Sequence, residues 1–288
     1  MKTGICIFLG CAFCLQACTA RIDISTADAP ERLVIYGAIT SDTMRHAVRI
    51  TRSASFFATT PPEAISRAEV VITGGGEEFR LTENALEPGL YETDAGVFGT
   101  EGETYELYIC LDFDGNGEPE EYEASSFLPP PPRMDSIGFR RSLINDHIEV
   151  LVWGGLPDNK ENYLSLHLYR NGELMNDSLS RYMVMDDEFL DGKEVTAASC
   201  FFLDQKEDEE TLVPGDRIVV RLDLITRDYA EFIWNAQSEI QGSNPIFGGP
   251  PANVPTNIRA RNGAATPISG FFTAYSGRSA GRVYDGVE

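Results

Sequence analysis

Three features predict an all-β chain: apolar residues alternate with polar ones along most of the length, turn signals recur at short intervals, and only one stretch has helical spacing. The predicted architecture is an N-terminal immunoglobulin-like or transthyretin-like β-sandwich followed by a second, mostly-β domain with one helix. The 288 residues include 45 acidic and 23 basic side chains, for a net charge of -22, and 42% are hydrophobic. That much apolar material builds a core, while so acidic a surface repels phosphate backbones and makes nucleic acid a poor partner.

The N-terminal sandwich is read over residues 31–128. Leu33 to Ile39, His46 to Ala54, Ala68 to Thr73, Glu78 to Thr82 and Gly89 to Thr93 alternate as short strands, with turns at Gly74-Gly75-Gly76 and Pro88-Gly89. Tyr105, Leu107, Ile109, Leu111 and Phe113 line one face of a longer strand, and Glu121 to Ser126 returns as its hairpin partner. Pro129 to Pro132 cannot donate ladder hydrogen bonds, so residues 129–134 read as a stiff linker and domain boundary.

Residues 135–288 form the second predicted domain. Ile148, Val150 and Val152 alternate with polar or bulky neighbours, as do Leu164, Leu166 and Leu168, before an Asn171-Gly172 turn. Ile218, Val220, Leu222 and Leu224 mark another strand. Thr226 caps the one helix, in which Tyr229, Phe232, Ile233, Ala236 and Ile240 recur at helical spacing before Gly242. Gly242 to Gly263 reads as a long ordered loop, Ile268 to Tyr275 as a final strand, and the remainder as a flexible tail.

The N-terminus carries a targeting signal. Lys2 precedes an apolar run from Gly4 to Leu15, too short for a permanent membrane span but suited to a signal-peptide core. The run ends in Leu15-Gln16-Ala17-Cys18, which resembles the lipobox of bacterial lipoproteins. Residues 1–17 are then a signal peptide, Cys18 the lipidated residue, and residues 18–30 a tether. Cys110 and Cys200 remain downstream and are expected to stay unpaired.

Further blocks resemble a known family. Leu33-Val34-Ile35-Tyr36-Gly37, Val48-Arg49-Ile50-Thr51-Arg52, Met134-Asp135-Ser136-Ile137, Pro255-Thr256-Asn257-Ile258 and Gly270-Phe271-Phe272-Thr273-Ala274 are similar to a Bacteroidota lipoprotein family, domain of unknown function 4249. Met134 stands where that family's mid-chain signature has Ile. The resemblance implies an outer-membrane lipoprotein, often encoded beside a TonB-dependent transporter, with no established activity.

Chemical motifs are few. Asp112, Asp114, Asn116 and Glu118, with Glu123 at the twelfth place, match the spacing of a calcium loop, in which hard oxygen donors surround the cation. Pro119 and the flanking strands oppose that reading, and a bare Asp-Gly-Asn-Gly hairpin, the preferred reading, uses the same letters. Gly277-Arg278-Ser279-Ala280-Gly281 spells a nucleophile elbow, but no histidine follows it. His46, His147 and His167 lack ligand spacing. Ile246 and Phe247 are apolar for a loop: they are the candidate partner-binding residues, though a loop packed back on its own domain, the preferred reading, uses the same residues.

The lipobox and the family resemblance together imply a non-enzymatic accessory lipoprotein of a TonB-dependent transport system, anchored in the outer membrane, with no cofactor unless calcium occupies the hairpin. The alternative is a structural or adhesive surface lipoprotein; a hydrolase would need a nucleophile, base and acid that the sequence does not group.

Overall fold

A computed structural model of the chain describes residues 31–54, 60–143, 145–158, 161–188, 194–240 and 254–287. The first strands are β1 (Leu33–Thr40), β2 (Ala47–Arg52), β3 (Glu69–Gly74), β4 (Glu77–Arg80), β5 (Thr82–Glu83), β6 (Leu90–Glu92), β7 (Thr104–Leu111) and β8 (Glu120–Phe127). Period-two burial runs through the longer ones: Leu33, Ile35 and Ile39 of β1 face inward, as do Tyr105, Leu107, Ile109 and Leu111 of β7. The second half supplies β9 (Arg133–Arg141), β10 (His147–Gly155), β11 (Tyr163–Arg170), β12 (Glu173–Leu174), β13 (Met183–Asp186), β14 (Glu194–Asp204) and β15 (Arg217–Ile225). Helix α1 (Arg227–Ile240), β16 (Arg259–Ala260) and β17 (Ile268–Val283) complete the order. The chain is therefore all-β with one α-helix.

Three sheets are present among the described residues. The largest runs β12-β11-β15-β17-β1-β2-β6-β5, with β13 also paired to β11; the others are β14-β10-β9 and β16-β8-β7-β3-β4. The first core lies between the β1, β2 and β6 region and the five-stranded sheet, and it takes in Phe272 and Ala274 of β17. Leu164, Leu166 and Leu168, with Val220 and Leu222, meet Val150, Val152, Phe201 and Leu203 in the second core. Helix α1 lies on the outer face of the large sheet, where Tyr229, Phe232 and Phe271 cluster with ring centroids 5.0–6.1 Å apart. Thr226 Oγ1 accepts the Tyr229 N–H at 3.3 Å, the expected cap, while Gly242 lies outside the described residues.

Strand β17 ties these layers together. Its first half pairs in parallel with β1, from Ile268 opposite Leu33 to Tyr275 opposite Thr40. Its second half pairs antiparallel with β15, from Ser276 opposite Leu224 to Val283 opposite Arg217. The tail expected after Tyr275 is therefore strand. Small residues (Ser276, Gly277, Ser279, Gly281) hide that strand from a hydrophobic pattern yet let β15 approach closely. The proline run does fall between β8 and β9, but hydrogen-bonded sheet continues across it, and residues 31–288 form one compact unit.

Sequence patterning does not reveal β9 and β14. β14 carries two register shifts against β10 and a positive φ of 53° at Ala197, so its period of two is broken. β9 starts directly after the prolines, inside the segment read as linker.

Gly270 tests the shared strand. Its φ is +100°, and a Cβ there would lie 1.9 Å from the Ile35 carbonyl oxygen. Gly270→Ala is expected to destabilise the fold by about 3 kcal/mol or more in urea unfolding, from backbone strain and overpacking together. A change below about 1 kcal/mol would mean that the β1 pairing tolerates separation.

Candidate functional site

Hairpin β7–β8 contains the calcium-motif residues. Asp112 accepts the N–H of Asn116 at 3.1 Å on Oδ1 and that of Gly117 at 2.9 Å on Oδ2, and Asn116 Oδ1 accepts the Glu118 N–H at 2.7 Å. Gly115 and Gly117 take φ of 69° and 83°, as a tight turn requires. Glu123 does not join them. The ladder places Leu111 opposite Glu120 and Tyr108 opposite Glu123, so Glu123 lies about 10 Å along the strand from the turn. Its carboxylate instead stands 3.9 Å from Arg261 Nε. Among the described residues no three of His, Cys, Asp and Glu assemble as a metal-holding group, and Asp112 spends both carboxylate oxygens on turn amides.

Other predicted positions are dispersed. Cys18, Ile246 and Phe247 lie outside the described residues. Ser279 sits within β17 opposite Arg221, not on a strand-to-helix turn. Cys110 and Cys200 are free; burial pushes the Cys200 thiol up to about 12, which leaves it unreactive. His46, His147 and His167 belong to separate environments, and His46 is held by Thr40 N–H and the Val97 carbonyl.

A groove of about 580 Å³ crosses the outer face of the five-stranded sheet, lined by Tyr108, Glu106, Arg80 and Arg259 among others. Arg80 is held by Glu69 at 2.6 Å and Glu78 at 3.0 Å, and the Arg261 guanidinium stands 5.8 Å from the centre of the Tyr108 ring. Paired charges of both signs leave this face hydrated.

The most perturbed chemistry lies elsewhere, on the helix-bearing face of the large sheet. Ser165 and His167 on β11 stand opposite Asp223 and Arg221 on β15. Arg221 bridges two carboxylates: its Nε donates to Asp223 Oδ1 at 2.7 Å and its Nη2 meets Asp42 Oδ2 at 2.7 Å. Asp223 is only 2% exposed. Gly277 makes room for it, since a Cβ there would lie 1.8 Å from Asp223 Oδ1. Around this core Tyr182 packs edge-on against His167 at 5.3 Å, and the Tyr36 and Tyr229 hydroxyls meet at 2.5 Å. Helix α1 secures the roof: Gln237 Nε2 donates to the carbonyls of Leu179 (3.0 Å) and Tyr182 (2.7 Å), and Trp234 Nε1 donates to that of Val184 (3.2 Å).

The cluster does not assemble a hydrolytic relay. His167 Nε2 meets both Ser165 Oγ, at 3.2 Å, and Asp223 Oδ2, at 3.5 Å, whereas a relay needs serine and carboxylate on opposite ring nitrogens. His167 Nδ1 is buried without a hydrogen-bond partner. One signal in sequence could have found the site: polar pairs two residues apart, Ser165/His167 and Arg221/Asp223, within strands that are otherwise apolar.

Burial sets the protonation states. It pushes the Asp223 carboxyl up to about 7 against the pull of Arg221, and, with the Arg221 charge, pushes His167 down to about 4. From 3.8 to about 7 the folded chain keeps a proton on Asp223 that the unfolded chain has lost, so this group's stabilisation falls as pH rises. From about 4 to 6.5 the unfolded chain protonates His167 and the folded one does not, so that contribution rises with pH. Relative to wild type, Asp223→Asn is expected to gain stability on going from pH 4 to 7, and His167→Gln to lose it from pH 4 to 6.5. Urea unfolding across that range reads both slopes; curves parallel to wild type would show that neither group is perturbed.

No curated protein matches the chain. Among solved structures it is similar to the crystal structure of a DUF4785 family protein from Legionella pneumophila subsp. pneumophila str. Philadelphia 1. That similarity has 13% identity, covers 65% of this chain and 50% of the other, and has a TM-score of 0.24. The chain thus spans half the length of that protein. The family model described as a domain of unknown function (DUF4249) matches residues 19–280, nearly the whole chain, and the chain belongs to that family.

Proposed function

We propose that the chain is an outer-membrane lipoprotein, anchored through acyl chains on Cys18, that serves as a non-enzymatic accessory binding component of a TonB-dependent transport system. The observation that carries this reading is Leu15-Gln16-Ala17-Cys18 at the end of a charge-free apolar run. Acyl chains would hold on a membrane a chain whose net charge of -22 would otherwise keep it away. Two rigid sandwiches presenting loops suit a binding role, and the same-nitrogen arrangement at His167 supports a role other than acyl transfer. The placement beside a TonB-dependent transporter, and in Bacteroidota, rests on the resemblance of the sequence blocks.

Affinity capture of the full lipoprotein from detergent-solubilised outer membranes, followed by mass spectrometry, tests the reading. A TonB-dependent barrel in stoichiometric amount is expected with wild type and is lost with Cys18→Ala. Capture of no barrel from membranes rich in the protein would overturn the accessory role in favour of a structural or adhesive one.

A further inference from the structure

Free sheet edges in this fold are short, with one exception. Strands β12 and β5 end the large sheet with two residues each, β13 adds four beside β12, and β16 and β4 end the five-stranded sheet with two and four. Strand β14 ends the three-stranded sheet with eleven residues, and among the described residues it pairs only with β10. The sheet's other edge, β9, packs beside β17. A long edge presents a row of unpaired N–H and C=O groups, and soluble proteins ordinarily shorten or cover such edges.

A cleft of about 600 Å³ adjoins the C-terminal half of β14, where the second sandwich gapes between β14 and β11. Leu168, Leu174, Met175 and Met183 line one side, and Phe201 and Phe202 the other. The bulge at Cys200 turns both Cys200 and Phe201 inward, so Phe202 projects outward and is 57% exposed. An aromatic ring left in water beside an apolar cleft and an open strand edge is an uncovered surface. The rim carries Glu173, Asp177, Glu209 and Glu210 against Arg170 and Arg181; Arg170 is engaged with the Thr211 carbonyl at 3.0 Å, and Glu210 accepts the Asp204 N–H at 2.9 Å, so the open part of the edge ends at Leu203.

We propose that the free edge of β14 and this cleft form a docking slot for an extended segment of a partner protein, one that alternates apolar side chains and carries basic residues. The segment adds a fourth strand beside β14, its backbone satisfies the open edge, its apolar side chains enter the cleft, and its cations meet the acidic rim. Charge disfavours a second copy of this chain as occupant. Antiparallel pairing of two β14 strands about their midpoint sets Glu194 of one protomer opposite Asp204 of the other, and brings together two chains of charge -22.

The test uses the full chain carrying Cys18→Ala, so it does not depend on the anchor, and a fluorescein-labelled Lys-Val-Thr-Val-Thr-Val-Lys peptide followed by anisotropy. Binding is expected, with hydrogen exchange slowed at residues 199–203. Methylating every peptide nitrogen removes its donors, and Phe202→Lys removes the apolar seat at an exposed position where folding is unaffected; each is expected to weaken binding about ten-fold or more. Absence of binding, equal binding by the methylated peptide or by Phe202→Lys, or protection mapped away from β14 would each overturn the proposal. A concentration-dependent dimer abolished by Phe202→Lys would also overturn it, by making the second copy the occupant.

Discussion

Strand β17 must satisfy two different neighbours along one continuous backbone, and the architecture follows from that constraint. From Ile268 to Tyr275 it is a parallel partner of β1 and contributes Phe272 to the first core; from Ser276 onward it is an antiparallel partner of β15 beside the second. Parallel pairs need a long crossover, and here nearly the whole chain lies between β1 and β17. Neither sandwich closes until the last strand is in place. The first takes β16 and half of β17 from residues beyond Pro255, and its hairpin is fastened to the same segment through Thr266, whose hydroxyl meets Glu120 Oε1 at 2.9 Å. Non-local pairing of this kind makes for slow, cooperative folding.

The ion cluster sits where β17 changes partners. Burying a carboxylate costs several kcal/mol, and a guanidinium 2.7 Å away offsets part of that only if both groups are otherwise hydrogen-bonded. Arg221 meets this condition by holding Asp42, just past the end of β1, as well as Asp223 near the C-terminal end of β15. One cation therefore fastens the strand on either side of β17. The cluster is poorly explained as a source of net stability, since apolar residues of equal volume would serve as well. As a device for register it makes physical sense: a one-residue slip of β15 would move Asp223 out of the space left by Gly277 and turn the charges into the core.

Legibility in the sequence tracks how completely each strand has one dry and one wet face. β1 and β7 have both, and in β11 and β15 polar residues still alternate with apolar ones although helix α1 covers their second face, so Leu33, Ile35 and Ile39, or Ile218, Val220 and Leu222, announce themselves by alternation. Asn171 and Gly172 announce their turn because both require positive φ, and they take 54° and 93°. Helix α1 was legible because its buried residues recur on one side of a 3.6-residue period. β14 fails the same test because its bulge puts Cys200 and Phe201 on one face, and the second half of β17 fails because glycine and serine carry no hydropathy. The polar cluster was harder still. Asp42, His167 and Arg221 are brought together by sheet order, which alternation within a strand does not encode. The Asp112 to Glu123 spacing shows the same limit: a spacing of twelve has ligand meaning only when the chain curls back, and a strand carries Glu123 away from Asp112.

Strand order also decides where an external pull would enter the body. β1 is the first described strand and lies inside the large sheet, bonded to β17 on one side and β2 on the other. In the proposed anchored state any tension along residues 18–30 reaches the fold at Arg32, whose N–H donates to Ser53 Oγ at 2.9 Å, and then at Leu33, whose N–H is bonded to the Pro267 carbonyl at 2.9 Å. Force along β1 then acts in shear on two ladders at once, so their bonds must break together rather than one by one. An anchor attached to a two-residue edge strand such as β5 would peel it open. The shared strand that unites the two sandwiches thus also braces the strand through which a membrane tether would act, so in the proposed anchored state one topological feature would serve both cohesion and attachment.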